Sequence, residues 1–336
     1  MDPSLTSHSA VESRWGDGLF SPSLAAVLLL MASSAHASSS PLAPSPDPAS
    51  IVKVELESIV FAPDRLKLSI HLPPGYEADS TIRYSVLYLN DGQDAAAVRL
   101  GEVLATLYAQ DAIEEVIVVA IDMLPDRMGT YGLSDRTAHR SMPGDSRYGA
   151  VGSRAHDYSE WVARELVPYI DARYRTQPDP AHRTILGWSL GGLNAFNLGW
   201  QYPEVFGQVG AFSPSFWLAS DRTDAASVQR SRLAQRMVEA GSKRTGSKFW
   251  FAVGTAEEAD DRDGDGIIDA VDDTQDLAHA LERTGYTANM EYARRVGTEE
   301  VALYLLDGGE HNQASWARML PVFLRWAYGK ANAPDH

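Results

Sequence analysis

The stretch 184-TILGWSLGGLNAF-196 is the most informative part of this sequence about its fold. Its centre, GWSLGG, matches the pattern G-x-S-x-G, in which a serine occupies a sharp turn between a strand and a helix. The residues before the turn are apolar, as in a short buried strand, and those after it begin a helical pattern. Gly187 and Gly191 leave room for the close backbone approach that such a turn needs. The stretch therefore predicts a strand–turn–helix unit that exposes Ser189 as a nucleophile; the alternative is a plain glycine-rich turn whose serine caps the helix.

Strand and helix patterns alternate on both sides of this unit. IVKVELESI (51–59) and RLKLSIHL (65–72) alternate apolar and polar residues, as half-buried antiparallel strands do. Denser apolar runs, typical of buried parallel strands, occur at 84–89 and 115–121, and further strands are predicted at 207–212, 248–253 and 301–306. Helical patterns are predicted at 95–110, 156–174, near 224–240, near 273–285 and at 313–328. We expect one α/β domain over residues 51–330, with a mostly parallel central sheet, helices on both faces and an antiparallel edge.

Composition excludes several function classes. The 336 residues include no cysteine, which rules out disulfides, a thiolate nucleophile, cysteine-ligated metal and a lipid anchor on cysteine. A formal net charge of −16 argues against nucleic acid as a partner, because a phosphate backbone attracts a basic surface. The oligomeric state is not indicated by any of these features.

The N-terminal segment has the features of a secretory signal. Residues 24-LAAVLLLMA-32 form an apolar run too short to span a bilayer comfortably, and 35-AHA-37 has the small-x-small pattern of a signal-peptidase site. We expect a signal peptide over 1–37, a Ser/Pro-rich linker over 38–50, a periplasmic or secreted location and no stable membrane anchor. The alternative is a disordered tail with an apolar patch.

A serine nucleophile needs a base and an acid. Folds built around this turn carry the acid and then the histidine later in the chain. His311 follows the last predicted strand in a glycine-rich loop, which is the expected place for the base. Glu257 lies just beyond the strand KFWFAV and is the predicted acid, with Glu258 and Asp260 as alternatives.

The remaining site residues follow from their positions near the serine. The backbone N–H of Leu190, directly after the nucleophile, is one expected oxyanion donor. The N–H of Gln93, in the loop after the strand at 84–89, is the other, although this loop also reads as a simple Asp-Gly turn. Trp188 and Trp217 are candidates for an aromatic-tolerant substrate pocket, but aromatic residues near a sheet edge are more often core.

The segment 261-DRDGDGIIDAVD-272 fits the template of a calcium loop. The predicted ligands, in order, are Asp261, Asp263, Asp265, the carbonyl of Ile267, Asp269 and Asp272, with Gly266 at the sharp turn. The alternative is a solvated acidic loop that caps the next helix. Because only three residues separate Glu257 from Asp261, a bound calcium ion could also fix the loop that carries the acid.

Taken together, these segments resemble the esterase branch of the α/β-hydrolases that contains enterochelin (siderophore) esterases, feruloyl esterases and mycolyltransferases. The resemblance runs from about residue 51 to residue 328. The markers are LPPGY (72–76), VLYLNDGQD (86–94), ELVPYIDARYRT (165–176), GWSLGGLNAF (187–196), YPEVFGQVGAFSPSFW (202–217), GTAE (254–257) and GGEHNQASW (308–316).

The resemblance implies an α/β-hydrolase fold and a serine carboxylic-ester hydrolase that acts through an acyl-enzyme. In feruloyl-esterase members the acid is fourth in a GT-x-acid motif, which corresponds to Glu257. Siderophore esterases carry an Arg and a Glu that help hold the substrate; here Arg127 matches the Arg, and the Glu has no obvious counterpart. The expected substrate is a small-molecule ester, of siderophore type or another aryl or acyl ester, and catalysis needs no cofactor. The alternatives are an acyltransferase with the same triad and a non-catalytic calcium-binding module on the same fold.

Overall fold

The computed structural model describes residues 50–146, 148–292 and 299–330. The strands are β1 (Ser50–Glu57), β2 (Arg65–Leu72), β3 (Ser85–Asn90), β4 (Val116–Ile121), β5 (Leu133–Asp135), β6 (Arg140–Met142), β7 (Gly144–Ser146), β8 (Gly149–Val151), β9 (Arg183–Trp188), β10 (Gln208–Phe212), β11 (Lys248–Gly254), β12 (Ala288–Asn289) and β13 (Val301–Leu306). The helices are α1 (Leu100–Ala109), α2 (Arg127–Thr130), α3 (Ala155–Trp161), α4 (Val167–Arg173), α5 (Leu190–Gln201), α6 (Ala225–Ser231), α7 (Leu233–Glu239), α8 (Asp269–Arg283) and α9 (Gln313–Tyr328), and a π-helical turn at Val162–Leu166 joins α3 to α4.

Nine of these strands form one sheet in the order β1-β2-β4-β3-β9-β10-β11-β13-β12. Strands β1, β2 and β4 pair antiparallel, and the pairs from β4 onward are parallel. The predicted α/β-hydrolase architecture, with a mostly parallel sheet and an antiparallel edge, is confirmed. Two short hairpins, β5–β6 and β7–β8, lie outside this sheet.

The central strands are apolar throughout because both of their faces are covered. In β3, Val86 and Tyr88 belong to one apolar cluster, whereas Leu87 and Leu89 belong to a second cluster. The first cluster includes residues of α5 and α8, and the second includes residues of α1 and α9. Alternate side chains therefore bury against opposite helix layers, which explains the dense apolar pattern in the sequence.

Three helix predictions differ from the structure. The helix expected at 95–110 begins only at Leu100, because Arg99 has a left-handed backbone (φ 57°). The helix expected near 224–240 is broken at Arg232, whose backbone is non-helical (φ −56°, ψ 119°) and whose side chain forms a buried ion pair with Asp273. The helix expected near 273–285 begins earlier, at Asp269, and the Asp269 carboxylate pairs with Arg262. This last difference changes the interpretation of the acidic loop.

The predicted signal peptide (1–37) and nearly all of the linker lie outside the described residues. Ser50, the last linker residue, is the first residue of β1. Within the described ranges, no helix has both the length and the apolar character required to cross a membrane.

Candidate active site

Four loops meet where neighbouring parallel strands end. Ser189 follows β9, Ser213 follows β10, Glu257 follows β11 and His311 follows β13, and these four strands are adjacent in the sheet. Because parallel strands place their carboxyl ends at one edge, residues far apart in sequence come together there.

Ser189 has the strained backbone that the sequence motif implies. Its φ of 56° and ψ of −126° are rare for a residue with a side chain. A Cβ on Gly187 would lie 2.2 Å from the carbonyl oxygen of Gly191, so the turn is compatible only with glycine at position 187. The Ser189 N–H donates to the Phe212 carbonyl (3.0 Å), and its carbonyl accepts from the Ser215 N–H (3.1 Å). These bonds tie the strained residue to the loop after β10.

The side chains of Ser189, His311 and Glu257 form a continuous chain of contacts. Ser189 Oγ lies 3.1 Å from His311 Nε2, and His311 Nδ1 lies 2.9 Å from Glu257 Oε2. The Glu257 side chain is only 2% exposed, whereas the His311 side chain is 41% exposed. An imidazole between a hydroxyl and a buried carboxylate can take the hydroxyl proton and is oriented to do so. Of the three predicted candidates for the acid, the structure places Glu257 against His311.

Glu257 is held by donors from the ends of β11 and β10. Its Oε1 accepts from the Gly254 N–H (2.7 Å) and from the Ser213 hydroxyl (2.5 Å). Ser213 also accepts a bond from the indole N–H of Trp316 (2.9 Å). Ser213 had no predicted role. Its position in the sequence was the available indication, because a serine directly after the strand next to β9 lies at the same sheet edge as Ser189.

The predicted oxyanion donors lie on facing elements. Leu190 is the first residue of α5, a position whose N–H has no acceptor within the helix. Gln93 lies in a one-turn 3-10 helix, Gly92–Asp94, whose N-cap residue Asp91 is in the left-handed region. A Cβ on Gly92 would lie 2.6 Å from main-chain atoms of β4, so glycine allows this turn to pack against the sheet. The Gln93 side chain accepts from the Met123 N–H (2.9 Å), which fixes the turn from the other side.

A largely buried ion pair joins this turn to α2, and the same arginine lies 3.5 Å from the Trp188 carbonyl oxygen, one residue before Ser189. Arg127 donates to both carboxylate oxygens of Asp91, through Nε (2.8 Å) and Nη2 (2.7 Å). The Asp91 side chain is 1% exposed and that of Arg127 is 26% exposed. A Cβ on Gly191 would lie 2.6 Å from the Asp91 carboxylate, which shows how closely the turn approaches α5. Arg127 was predicted to bind substrate. Two of its guanidinium nitrogens already bond Asp91, and its side chain is only partly exposed.

The two predicted pocket tryptophans have different environments. Trp188 is 1% exposed, stacks on Trp316 at 5.4 Å and donates to Asp94 (3.1 Å). Its assignment as a substrate-contacting residue is wrong, because a side chain at the end of a central strand is enclosed by the helix layer below the site. Trp217 is partly buried, with the guanidinium of Arg222 5.6 Å from its ring. Trp217, which lies in the loop after β10, keeps part of its side chain exposed.

Buried amide side chains form hydrogen bonds to the start of α5, directly after Ser189. Asn90, the last residue of β3, donates to the Gly191 carbonyl (3.0 Å) and to Asn194 (3.2 Å). Tyr158 donates its hydroxyl proton to Asn90 (2.9 Å), and burial raises the Tyr158 pKa, which keeps the phenol a neutral donor. These residues were not predicted. The sequence offered one indication of this role: Asn90 is a polar residue at the end of an apolar buried strand, and a buried polar group needs hydrogen-bond partners.

The acidic loop brings three carboxylates together. One ligand oxygen each from Asp261, Asp263 and Asp265 lies within 4.8 Å of the others. Asp261 accepts from the Gly264 N–H (2.7 Å) and the Gly266 N–H (3.0 Å), and these and related bonds lower its pKa. Partial burial and the charges of Asp265 and Asp263 raise the pKa of Asp272 to about 6. Three carboxylates thus lie together, near enough to Asp272 for the charges of Asp263 and Asp265 to act on it, and oxygen donors of this kind suit a hard cation such as calcium.

Asp269 does not join this cluster. Its Oδ1 accepts from the Arg262 N–H (2.8 Å), and its Oδ2 lies 3.0 Å from the Arg262 guanidinium. Arg262 also pairs with Asp273, which in turn pairs with Arg232. The prediction of Asp269 as a ligand is wrong, because the arginine inside the loop has taken its carboxylate. Ile267 donates its N–H to Asp265 (2.8 Å) and belongs to the same turn.

Comparison with known proteins identifies the family. The family model described as "Putative esterase" matches residues 61–327. The uncharacterized protein YbbA of Bacillus subtilis (strain 168) is 21% identical over 265 residues, covering 79% of this chain and 93% of that protein. A solved structure named ferulic acid esterase has a TM-score of 0.61 and 20% identity, covering 83% of this chain and 97% of that one.

A second solved structure is the enterobactin esterase FES from Shigella flexneri in the presence of enterobactin. Its TM-score is 0.62 at 18% identity, covering 85% of this chain and 62% of that one. At these identities the solved structures establish the fold, while the family model covers most of the chain. The protein therefore belongs to the family described as "Putative esterase" and is an esterase with the α/β-hydrolase fold.

Proposed function

We propose that the protein hydrolyses carboxylic esters through an acyl-enzyme formed on Ser189. The observation that carries this proposal is the chain Ser189–His311–Glu257, with contacts of 3.1 and 2.9 Å. Family membership supports ester hydrolysis on small molecules, and esterases of this kind need no catalytic cofactor.

The mechanism follows from the positions of these groups. His311 Nε2 accepts the Ser189 proton as Oγ attacks the ester carbonyl, and the imidazolium then gives this proton to the leaving alcohol. Glu257 stabilises the imidazolium and keeps Nδ1 protonated. The N–H groups of Leu190 and Gln93 are suited to stabilise the oxyanion. Water, activated by the same histidine, then releases the acid.

The substrate proposal is an aryl or acyl ester, including esters of siderophore type. The His311 side chain is 41% exposed and packs edge-on against the Trp316 ring, with centroids 5.5 Å apart, which supports a solvent-reachable site with an aromatic wall. The names of the two solved structures, a ferulic acid esterase and an enterobactin esterase, support including both ester classes. A panel of p-nitrophenyl acyl esters, feruloyl esters and ferric-catecholate trilactones tests this proposal. Absence of turnover across the panel, together with no fluorophosphonate adduct, would contradict an active serine esterase.

Transfer to an alcohol is the second candidate reaction. The same acyl-enzyme can react with an alcohol in place of water, and the exposed side of His311 can activate either nucleophile. Product analysis with and without an added alcohol separates the two. Predominantly free acid in the presence of an acceptor supports hydrolysis, whereas an ester of the added alcohol supports acyl transfer.

We also propose that the acidic loop holds a structural calcium ion. The residues that fit are Asp261, Asp263, Asp265 and Asp272, with the Ile267 carbonyl as a further donor. Arg262 already pairs with Asp269 and Asp273 at the start of α8, so the ion would neutralise the remaining carboxylates of the loop. The side-chain partners of Glu257 lie outside this loop, which favours a role in stability over a role in catalysis.

Calcium is expected to raise the melting temperature, and Asp265→Asn to remove most of that rise. At a concentration of about 100 Kd, a bound ion contributes roughly 2.7 kcal/mol of stability, which corresponds to several degrees. Thermal unfolding in chelator and in calcium measures the effect, with Glu77→Gln as a matched loss of an exposed carboxylate. An equal calcium response in wild type and Asp265→Asn would place any ion elsewhere. A large loss of kcat in chelator would restore the coupling between the ion and Glu257.

We propose a periplasmic or secreted location on the basis of residues 24–37. When the chain is expressed from residue 1 in a bacterial host, the exported protein should begin at Ser38. Mass spectrometry of the extracytoplasmic fraction measures this N-terminus. Recovery of the uncleaved chain from the cytosol alone would contradict export.

A further inference from the structure

Ser213 occupies an unusual place beside the catalytic acid. It directly follows β10, its φ of 45° lies in the left-handed region, and it is 2% exposed. Its N–H donates to the Ala252 carbonyl (2.6 Å), which anchors the residue to β11. A buried serine in this backbone conformation is costly unless the surrounding structure requires it.

The direction of every hydrogen bond at Ser213 is determined by chemistry. The indole N–H of Trp316 can only donate, so Ser213 Oγ accepts from it at 2.9 Å. The Ser213 hydroxyl proton is then free for Glu257 Oε1, 2.5 Å away, which as a carboxylate oxygen can only accept. The chain therefore runs Trp316 to Ser213 to Glu257, and a polarised hydroxyl donates more strongly than an isolated one.

In this arrangement the two carboxylate oxygens of Glu257 have different partners. Oε1 receives the Ser213 hydroxyl and the Gly254 N–H, so Oε2 is left for His311 Nδ1. The side chain cannot rotate without breaking bonds on both oxygens. Trp316 also packs edge-on against the His311 ring, with centroids 5.5 Å apart, so one tryptophan contacts both the imidazole and the support of its acid.

We propose that Ser213 is a positioning residue for catalysis: its hydroxyl, oriented by Trp316, holds the Glu257 side chain in the rotamer that presents Oε2 to His311. This inference rests on the proposed triad. It extends the hydrogen-bonded chain beyond the acid to a fourth and a fifth side chain.

Ser213→Ala keeps the Cβ and the backbone requirement while it removes the donor. We expect kcat to fall by about tenfold, the value of one hydrogen bond to a charged group, with little change in KM. A carboxylate that has lost a donor holds the imidazolium proton more tightly. The acid limb of the kcat/KM profile should therefore move to higher pH, by roughly half a unit to one unit.

Loss of the hydroxyl also leaves the Trp316 N–H without its acceptor, so Ser213→Ala should be less stable. The double variant Ser213→Ala/Trp316→Phe removes that orphaned donor and should recover part of the stability while it keeps the shifted pH profile. Trp316→Phe alone leaves the Ser213 donor in place and should shift the profile less. Ser247→Ala, a second buried serine near the opposite end of β11, is the matched control and should leave the profile unchanged.

NMR titration of the His311 imidazole in the resting protein provides a readout that does not depend on turnover. A higher titration midpoint in Ser213→Ala than in wild type supports the positioning role, even if no ester on the panel is cleaved. An unchanged midpoint and an unchanged pH profile in a folded Ser213→Ala variant would overturn it. Absence of wild-type turnover with a shifted midpoint would count against the proposed hydrolysis and not against the Ser213 contact.

Discussion

Ser189→Ala is expected to reduce kcat for ester hydrolysis by about 10⁴-fold or more while leaving the fold intact. Ser189 Oγ is the atom that forms the acyl bond, and neither His311 nor Glu257 can take its place. Alanine accepts the same backbone conformation no worse than serine does, because both carry a Cβ at a φ of 56°. Loss of activity should therefore come without a large loss of stability.

Initial rates on the best panel ester and thermal unfolding of the same preparation measure this prediction. A fluorophosphonate should label the wild type at Ser189 and leave Ser189→Ala unlabelled. Ser220→Ala, an exposed serine in the loop between β10 and α6, should behave as wild type. Equal labelling or equal turnover of Ser189→Ala would remove the serine mechanism altogether.

The sequence was most informative where backbone conformation dictates residue type. The two glycines around Ser189 are required by contacts of 2.2 Å (Gly187) and 2.6 Å (Gly191) that any Cβ would make, so the motif and the turn imply one another. The order of serine, acid and histidine then followed from the way parallel strands present their carboxyl ends at one edge. The fold class depended on the same regularity.

The sequence was least informative where a side chain had two available partners. Asp269 fits position nine of a calcium loop, but Arg262, only seven residues away, takes its carboxylate. Trp188 is adjacent to the nucleophile in sequence, but alternation along β9 directs its ring into the core. Arg127 matched a substrate-binding position, and Asp91 occupies its guanidinium. Such choices depend on tertiary distances that a one-dimensional pattern does not contain.

Ser213 illustrates a third situation, in which a residue's role depends on its place in the fold and no sequence motif marks it. It is an ordinary serine in SPSFW, and its role depends on the neighbours that β11 and α9 supply. Once the strand order β9-β10-β11 is known, a residue directly after β10 must lie between the nucleophile and the acid. Topology, more than composition, makes such a residue visible.

Glu257→Gln is expected to lower kcat by about 10³- to 10⁴-fold, and the structure gives a specific reason. Position Oε1 receives two donors, the Gly254 N–H and the Ser213 hydroxyl, so the glutamine must place its carbonyl oxygen there. Its NH₂ group then faces His311 Nδ1. A donor at that position forces Nδ1 to accept, which puts the ring proton on Nε2, toward Ser189.

A neutral His311 in that tautomer cannot take the serine proton, so the variant should be inactive for an electronic reason rather than a steric one. Glu258→Gln is the matched control, since it makes the same chemical change one residue later in the same loop and should retain activity close to wild type. Steady-state rates, fluorophosphonate labelling rates and melting temperatures of the two variants separate loss of function from loss of fold. A Glu257→Gln variant within tenfold of wild type, or a Glu258→Gln variant that loses as much, would move the acid away from Glu257. Both variants replace one carboxylate of the same loop with an amide, but only Glu257 contacts His311, so we expect only Glu257→Gln to lose activity.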